Sequence, residues 1–371
     1  MYYRNVLSKI KNNSVLIKKN KVYKLNEKYQ RYWIEDCLDE IKDKDFIEFM
    51  KKNKMIKESG PSSKICKKDL ITTLHLQITD ACMCRCGHCY VSGRENTFLA
   101  FGDFKCIVDD FVDAGMVSLD YTGGEPTLHP EFMEFIKYGK AQGLHQMLFT
   151  NGYIPEYLYS AIIENLDVVQ VSLDGNELYH NNFRRNKQIY QHVIKTLDAL
   201  YRQDVELVLS MSITEANVSQ IEHVVDISHK YGALFRMAPP VPVGNFAIDD
   251  NDYYKRLLSQ VMEECNKLGV YPQELVPRSP HCGAIHSSLY MDVNKNIYPC
   301  PLLSGTKWNM GIFDNSICEV LDSDRTCKIA EKINSYMKKE GKYVFFCPAL
   351  YDGVKMKDEN EYFGRVKEEY L

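Results

Sequence analysis

From Thr72 to Pro240 the chain repeats one pattern six times: a short apolar run, then a longer stretch whose apolar residues recur every three or four positions. The runs are 72–79 (TTLHLQIT), 117–124 (VSLDYTGG), 146–152 (QMLFTNG), 168–175 (VVQVSLDG), 206–214 (ELVLSMSIT) and 234–240 (LFRMAPP). Stretches such as 101–115, 130–143 and 189–203 have helical spacing between them. Short apolar strands alternating with helices predict an α/β fold with a parallel sheet buried under crossover helices. Six units are too few to close an eight-stranded barrel. In such folds the chemistry gathers where strands end at their carboxyl face.

The pattern differs on either side. Residues 1–60 read as a small α+β module, with a hairpin from VLIKKN and KVYKLN followed by helical stretches over 30–41 and 43–56. Residues 61–71, entered through Gly60-Pro61-Ser62-Ser63, read as a linker, and 72–270 as the core, whose last helix lies within 249–269. Residues 271–371 form a third unit. In it LYMDVNKNIYPCPLL predicts a hairpin turning at Asn294-Lys295, with Asn294 taking the positive φ, and delivering Cys300.

Composition narrows the class. An apolar content of 45% over 371 residues supports a large core. No apolar run reaches the ~18 residues of a membrane span. The first residues lack a signal peptide's apolar core and cleavage site, so a cytoplasmic location is expected, with no membrane partner. Thirteen cysteines in such a chain argue for metal ligation over disulfides. The net charge of −4 is uneven: residues 1–70 hold 18 Lys and Arg against 10 Asp and Glu, a local +8 that leaves −12 elsewhere. That asymmetry suggests an acidic partner for the N-terminal module, a peptide or nucleic acid.

The chemistry centres on TDACMCRCGHCY, residues 79–90, where Cys82, Cys86 and Cys89 stand at CxxxCxxC spacing with Tyr90 directly after. Three thiolates on one loop can hold a cubane iron–sulfur cluster. Three ligands for four irons leave one iron open to chelate the amino and carboxylate groups of S-adenosylmethionine. A structural zinc knuckle is the alternative reading. Cys84 alternates away from Cys82 and reads as a bystander, and His88 is not expected to be a ligand. One β/α unit later comes Gly123-Gly124-Glu125-Pro126, where two missing Cβ atoms let the backbone approach a ligand closely.

The cysteine spacing, the trailing aromatic, the strand before it and the GGEP turn resemble the radical SAM superfamily, and the six units fit its partial (β/α)6 barrel. The resemblance implies two cofactors, S-adenosylmethionine and a SAM-binding 4Fe-4S cluster. It also implies that Gly123, Gly124, Glu125 and Pro126 bind the methionyl amino group, that Asp174 with Ser172 receives the ribose, and that Tyr90 belongs to the same site. His180-Asn181-Asn182-Phe183-Arg184 is similar to the family's HDxxR, with Asn181 in the acidic place, and Arg184 would pair with the SAM carboxylate. Asn151, Ser210 (or Ser212) and Asn217 would add polar contacts, and the segment Met237 to Gly244 would meet the adenine.

Residues 282–350 resemble the SPASM/twitch auxiliary domain of that superfamily. The cysteines suffice for one auxiliary 4Fe-4S cluster, held by Cys282, Cys300 and Cys347. Cys318 and Cys327 fall on packed helix positions, and Cys37, Cys66, Cys106 and Cys265 read as small hydrophobes. The N-terminal module is similar to winged-helix elements that bind a leader peptide as an added strand. The implied activity is reductive cleavage of S-adenosylmethionine to a 5′-deoxyadenosyl radical. That radical abstracts hydrogen from a ribosomally made precursor peptide to install a cross-link, thioether or epimerisation. A donor such as flavodoxin or ferredoxin would supply the electron, and nucleic acid is not the expected partner. A dehydrogenase or rearranging enzyme for a small molecule is the second reading, and a non-enzymatic metal-binding scaffold the third.

Overall fold

The structure, a computed structural model, describes residues 71–339 apart from 92–94, 247–251, 271–282, 286 and 306, and outside that span residues 2–3, 6–10, 13–18, 21–24, 48, 56–57 and 342–343. Near the N-terminus β1 (Tyr2–Tyr3) pairs antiparallel with β5 (Ile56–Lys57). Between them β2 (Val6–Ile10), β3 (Asn13–Lys18) and β4 (Lys21–Lys24) form an antiparallel sheet. The expected hairpin is β3–β4, and β2 adds a strand that alternation did not signal. The helices expected over 30–56 lie outside the described residues, apart from Glu48 and Ile56.

The core is a parallel sheet whose strands follow one another in sequence: β6 (Thr73–Thr79), β7 (Ser118–Gly123), β8 (His145–Thr150), β9 (Val168–Ser172), β10 (Glu206–Ser212) and β11 (Leu234–Ala238). Leu74, Leu76, Ile78, Leu119, Tyr121, Leu148, Val169, Val171, Leu209 and Met211 are buried in the main apolar cluster. Their alternate neighbours, including His75, Gln77, Asp120, Thr122, Gln170, Ser172, Ser210 and Ser212, are polar. This period-two division gives the sheet an apolar face under the helices and a polar concave one.

Among the covering helices are α1 (Phe101–Ala114), α2 (Phe132–Ala141), α3 (Tyr159–Asn165), α4 (Glu177–Arg184), α5 (Ile189–Leu200) and α6 (Ile221–Tyr231). Phe104 and Phe135 stack at 4.1 Å where α1 meets α2. The sheet does not close, because β11 is one of its edges and the other side of β6 is taken by β12 (Ser288–Met291), parallel to it. Antiparallel β13 (Asn296–Tyr298) and β14 (Gly311–Ile312) then complete a nine-stranded sheet. The expected hairpin is β12–β13, but Lys295 rather than Asn294 takes the left-handed backbone, at φ 65°. Asn294 instead donates its N–H to Asp292 Oδ1 at 2.9 Å. Helix α7 (Tyr253–Leu268) follows the barrel, then come α8 (Ile317–Leu321) and α9 (Asp324–Met337), and Lys338–Lys339 pairs antiparallel with Lys342–Tyr343 at the end of the described chain. No described helix is long and apolar enough to cross a membrane.

Candidate functional site

Strand β6 leaves the sheet at Thr79 and becomes the cysteine loop. Asp80 anchors the loop by accepting from Thr97 N (2.6 Å) and Glu95 N (2.8 Å). From the other side the end of β7 grips it: Gly124 N donates to Thr79 O (2.9 Å) and Glu125 N to Ala81 O (2.8 Å). This contact explains the two glycines. A Cβ on Gly123 would stand 2.2 Å from Thr79 O, and one on Gly124 2.2 Å from Ala81 O. Gly123 also has φ 152°, which L residues avoid. The close approach of this pair, expected toward a ligand, is made to the backbone that launches the cysteine loop.

On that loop Cys82, Cys86 and Cys89 lie together with Met83 and Tyr153 around buried Cys84 and Ile189. Cys84 is 1% exposed and its thiol bonds the side chains of Cys82 and Cys86, so it is inside the cluster of thiols rather than turned away. The loop is irregular there, and strand alternation does not apply. Cys86 is pushed down to about 6 by the Cys84 thiol and, against burial, by Arg184. His88 stacks on Phe183 at 4.6 Å, and burial pushes it down to about 4, leaving the ring neutral near pH 7. No three His, Cys, Asp or Glu side chains among the described residues surround a single point as ligands of one ion would. A cubane asks for a different arrangement, one thiolate for each of three irons, and three soft sulfur donors on one loop suit it.

Glu125 was expected to face the cofactor. Its side chain instead has no exposed surface. Oε1 accepts from Thr127 N (3.3 Å), Thr127 Oγ1 (2.8 Å) and Thr150 Oγ1 (2.9 Å), and Oε2 from Asn151 N (2.7 Å). Burial pushes this carboxyl up to about 8, with the Asn151 N–H pulling against it. Pro126 is buried at the start of the short turn Pro126–Leu128. Asn151 is 7% exposed. Its Oδ1 accepts from Tyr153 N (3.0 Å), which turns Nδ2 toward Cys82 Sγ (3.6 Å) and Met83 Sδ (3.3 Å).

Asp174 and Arg184, expected to take ribose and carboxylate, take each other. Arg184 Nε reaches Asp174 Oδ2 at 2.6 Å and Nη2 reaches Oδ1 at 3.1 Å, with the carboxylate fully buried. Ser212 N donates to the same carboxylate (2.9 Å), and His180 Nδ1 lies 3.2 Å from it. Burial pushes Asp174 up, but Arg184 and His180 outweigh it and hold the carboxyl well below its usual range. The cause is topological: α4 begins just beyond β9 and carries Arg184 back over the strand end, which the spacing between Asp174 and Arg184 did not reveal. Asn217 is likewise engaged. Its Oδ1 accepts from Thr214 N (2.7 Å), and its Nδ2 donates to the carbonyls of Asp174 (3.0 Å) and Ser212 (3.1 Å).

Met237 points into the apolar cluster at 2% exposure, so its side chain is not at the mouth. Ser172 and Ser210 are neighbours on β9 and β10 on the concave face, half-buried. Tyr90 bonds Thr122 Oγ1 at 3.2 Å and meets Tyr290 edge-on at 6.4 Å. Cys300 follows β13 at the start of a short turn, whereas Cys282 and Cys347 lie outside the described residues, as do Cys37 and Cys66. Cys265 is a core residue, Cys318 packs on the core, and Cys106 is exposed on α1 rather than packed.

Residues 76–227 match the family described as the radical SAM superfamily. The chain is 26% identical over 165 residues to the Fe-coproporphyrin III synthase of Methanosarcina barkeri, covering 43% of this chain and 41% of that one. It is 28% identical over 195 residues to the mycofactocin maturase MftC of Mycolicibacterium smegmatis, covering 51% and 48%. These matches span under half the length of either relative. In fold, Streptococcus suis SuiB bound to S-adenosylmethionine superposes with a TM-score of 0.64 at 16% identity, over 100% of this chain and 97% of that one. SuiB bound to the precursor peptide SuiA gives 0.61 at 13%, over 87% and 88%.

Proposed function

We propose that this chain, whose residues 76–227 match the radical SAM superfamily, modifies a ribosomally synthesised peptide. Cys82, Cys86 and Cys89 would hold three irons of a 4Fe-4S cluster, leaving the fourth iron for S-adenosylmethionine. Bound there, the cluster and S-adenosylmethionine supply one-electron chemistry that ends in hydrogen abstraction from the substrate. The chain's own work is geometric. The GGE turn fixes the loop, Glu125 ties β7 to β8, and the Asp174–Arg184 pair fixes the end of β9. Ser172 and Ser210 line the concave face beneath, where the methionyl and ribosyl groups and then the substrate would be received. The observation that carries the reading is the cysteine loop clamped by Gly123–Glu125 at the carboxyl end of a sequential parallel sheet.

The peptide substrate is supported by the maturase relative and by the fold shared with a protein that binds a precursor peptide. Residues 1–60 would hold the leader, and Cys300 with Cys282 and Cys347 would hold one auxiliary cluster in a SPASM/twitch unit after residue 270. A flavodoxin or ferredoxin would donate the electron in the cytoplasm. A small-molecule substrate is the second reading, favoured by the likeness to a porphyrin-processing enzyme.

Anaerobically reduced protein is expected to convert S-adenosylmethionine to methionine and 5′-deoxyadenosine, read by mass spectrometry, and to stop doing so when Cys86 is alanine. Peptides encoded beside the gene should then gain or lose hydrogen in the same assay. Binding of such a peptide that survives deletion of residues 1–60 would count against the leader module. Turnover of porphyrin-like substrates in place of peptides would favour the second reading.

A further inference from the structure

Two N–H donors face the Cys82 sulfur. Cys84 N lies 3.4 Å from that sulfur and Asn151 Nδ2 3.6 Å, both within reach of an N–H···S hydrogen bond. The first donor belongs to the loop itself. The second comes from the end of β8, 69 residues away in sequence, and is held there from two sides. Asn151 N is anchored on buried Glu125 at 2.7 Å, and Asn151 Oδ1 is occupied by Tyr153 N at 3.0 Å. With the oxygen fixed by an N–H donor, the amide nitrogen has to face the sulfurs. A side chain 7% exposed and tied at both ends is built for one orientation.

We propose that Asn151 is a positioning residue whose amide donates to the Cys82 sulfur and raises the reduction potential of the cluster this loop holds. The inference rests on Cys82, Cys86 and Cys89 holding a cubane. Hydrogen bonds to ligand sulfur are among the factors that set iron–sulfur potentials, because they withdraw electron density that would otherwise oppose the incoming electron. No proton or electron moves in the bond itself; it stabilises the cluster after a one-electron reduction by the external donor. Glu125, through the Asn151 backbone, becomes the link by which the GGE turn fixes this donor. Met83 Sδ, 3.3 Å from the same nitrogen, competes for it.

The test is a redox titration followed by electron paramagnetic resonance on anaerobic full-length protein. The readout is the signal that changes on adding S-adenosylmethionine, so an auxiliary cluster does not enter it. Asn151→Leu removes the donor and is expected to lower the midpoint potential of that signal with iron content unchanged. Met83→Leu frees the amide for Cys82 and is expected to leave the potential in place or raise it. Asn151→Ala removes the same donor in a smaller side chain without adding charge, so it should follow Asn151→Leu even if the leucine variant folds poorly. A wild-type potential in both Asn151 variants overturns the proposal. So does an equal fall in Met83→Leu, which would mean that loop repacking sets the potential. If wild type gives no signal that responds to S-adenosylmethionine, the cluster reading fails instead, and the two failures are distinguishable.

Discussion

A carboxylate with no exposed surface stays charged only where partners hold it, and Asp174 has Arg184, His180 and Ser212 N around it. Asp174→Ala leaves a guanidinium buried and uncompensated, so a loss of about 3–5 kcal/mol is expected in urea denaturation. Glu125 shows the opposite balance. Its burial favours the protonated form, so the folded protein keeps a proton up to about pH 8 that the unfolded chain releases near 4.5. The stability this group contributes is fully present below the unfolded value and is lost as pH rises to about 8. Glu125→Gln should flatten that part of the urea-midpoint profile against pH. Among the thiols, Cys82→Ala, Cys86→Ala and Cys89→Ala should each strip the loop of iron. Cys84→Ala should keep it, read as iron per chain and the visible absorption of the cluster. These roles were legible unequally. The CxxxCxxC ligands come from one short loop, whereas the pairing of Asp174 with Arg184 needs a helix to bring the residues together.

At the scale of elements, the contact between β7 and the cysteine loop is backbone against backbone, which leaves no flexible side chain to give way. In Gly124→Ala the new Cβ would stand 2.2 Å from Ala81 O and 2.6 Å from Asp80 O. Overpacking of this kind costs about 1–3 kcal/mol, and here the loop is expected to yield, lowering both melting temperature and iron content. Gly102 is the contrast: it lies in the first turn of α1 with nothing within 4 Å of a Cβ. Gly102→Ala should stabilise the protein by about 0.5–1 kcal/mol through the unfolded chain's lost freedom, with cluster loading unchanged. The strands and most helices were legible because apolar periods of two and of three to four alternate cleanly. Helix α4 was not, since only His180 and Arg184 of its residues are buried and it shows little apolar stripe.

Across the whole molecule, the hairpin after residue 287 is an extension of the barrel sheet. Ser288, Leu289, Tyr290 and Met291 pair with Thr73 through Leu76, and Tyr290 Oη donates to Gln77 Oε1 at 2.6 Å. Lys295 adds an ion pair to Asp103 on α1, and Asp110 accepts from Ile317 N at the start of α8. Removing everything from Ser288 onward would bare the side of β6 as a free strand edge. Such a truncation is expected to elute as aggregate on size exclusion, whereas a chain with a free-standing C-terminal unit would remain monomeric.

The sequence by itself determined the order of strands and helices, the three cysteines and the glycine pair, because each follows from local periodicity or from spacing within one loop. Only the tertiary structure decided which polar groups are left for ligands. It closes Asp174 on Arg184, buries Glu125 under four donors and turns Asn151 toward Cys82. The reason is that a buried polar group must find its partner inside the fold, and that partner is set by how strand ends and helices meet, over separations no local pattern reports.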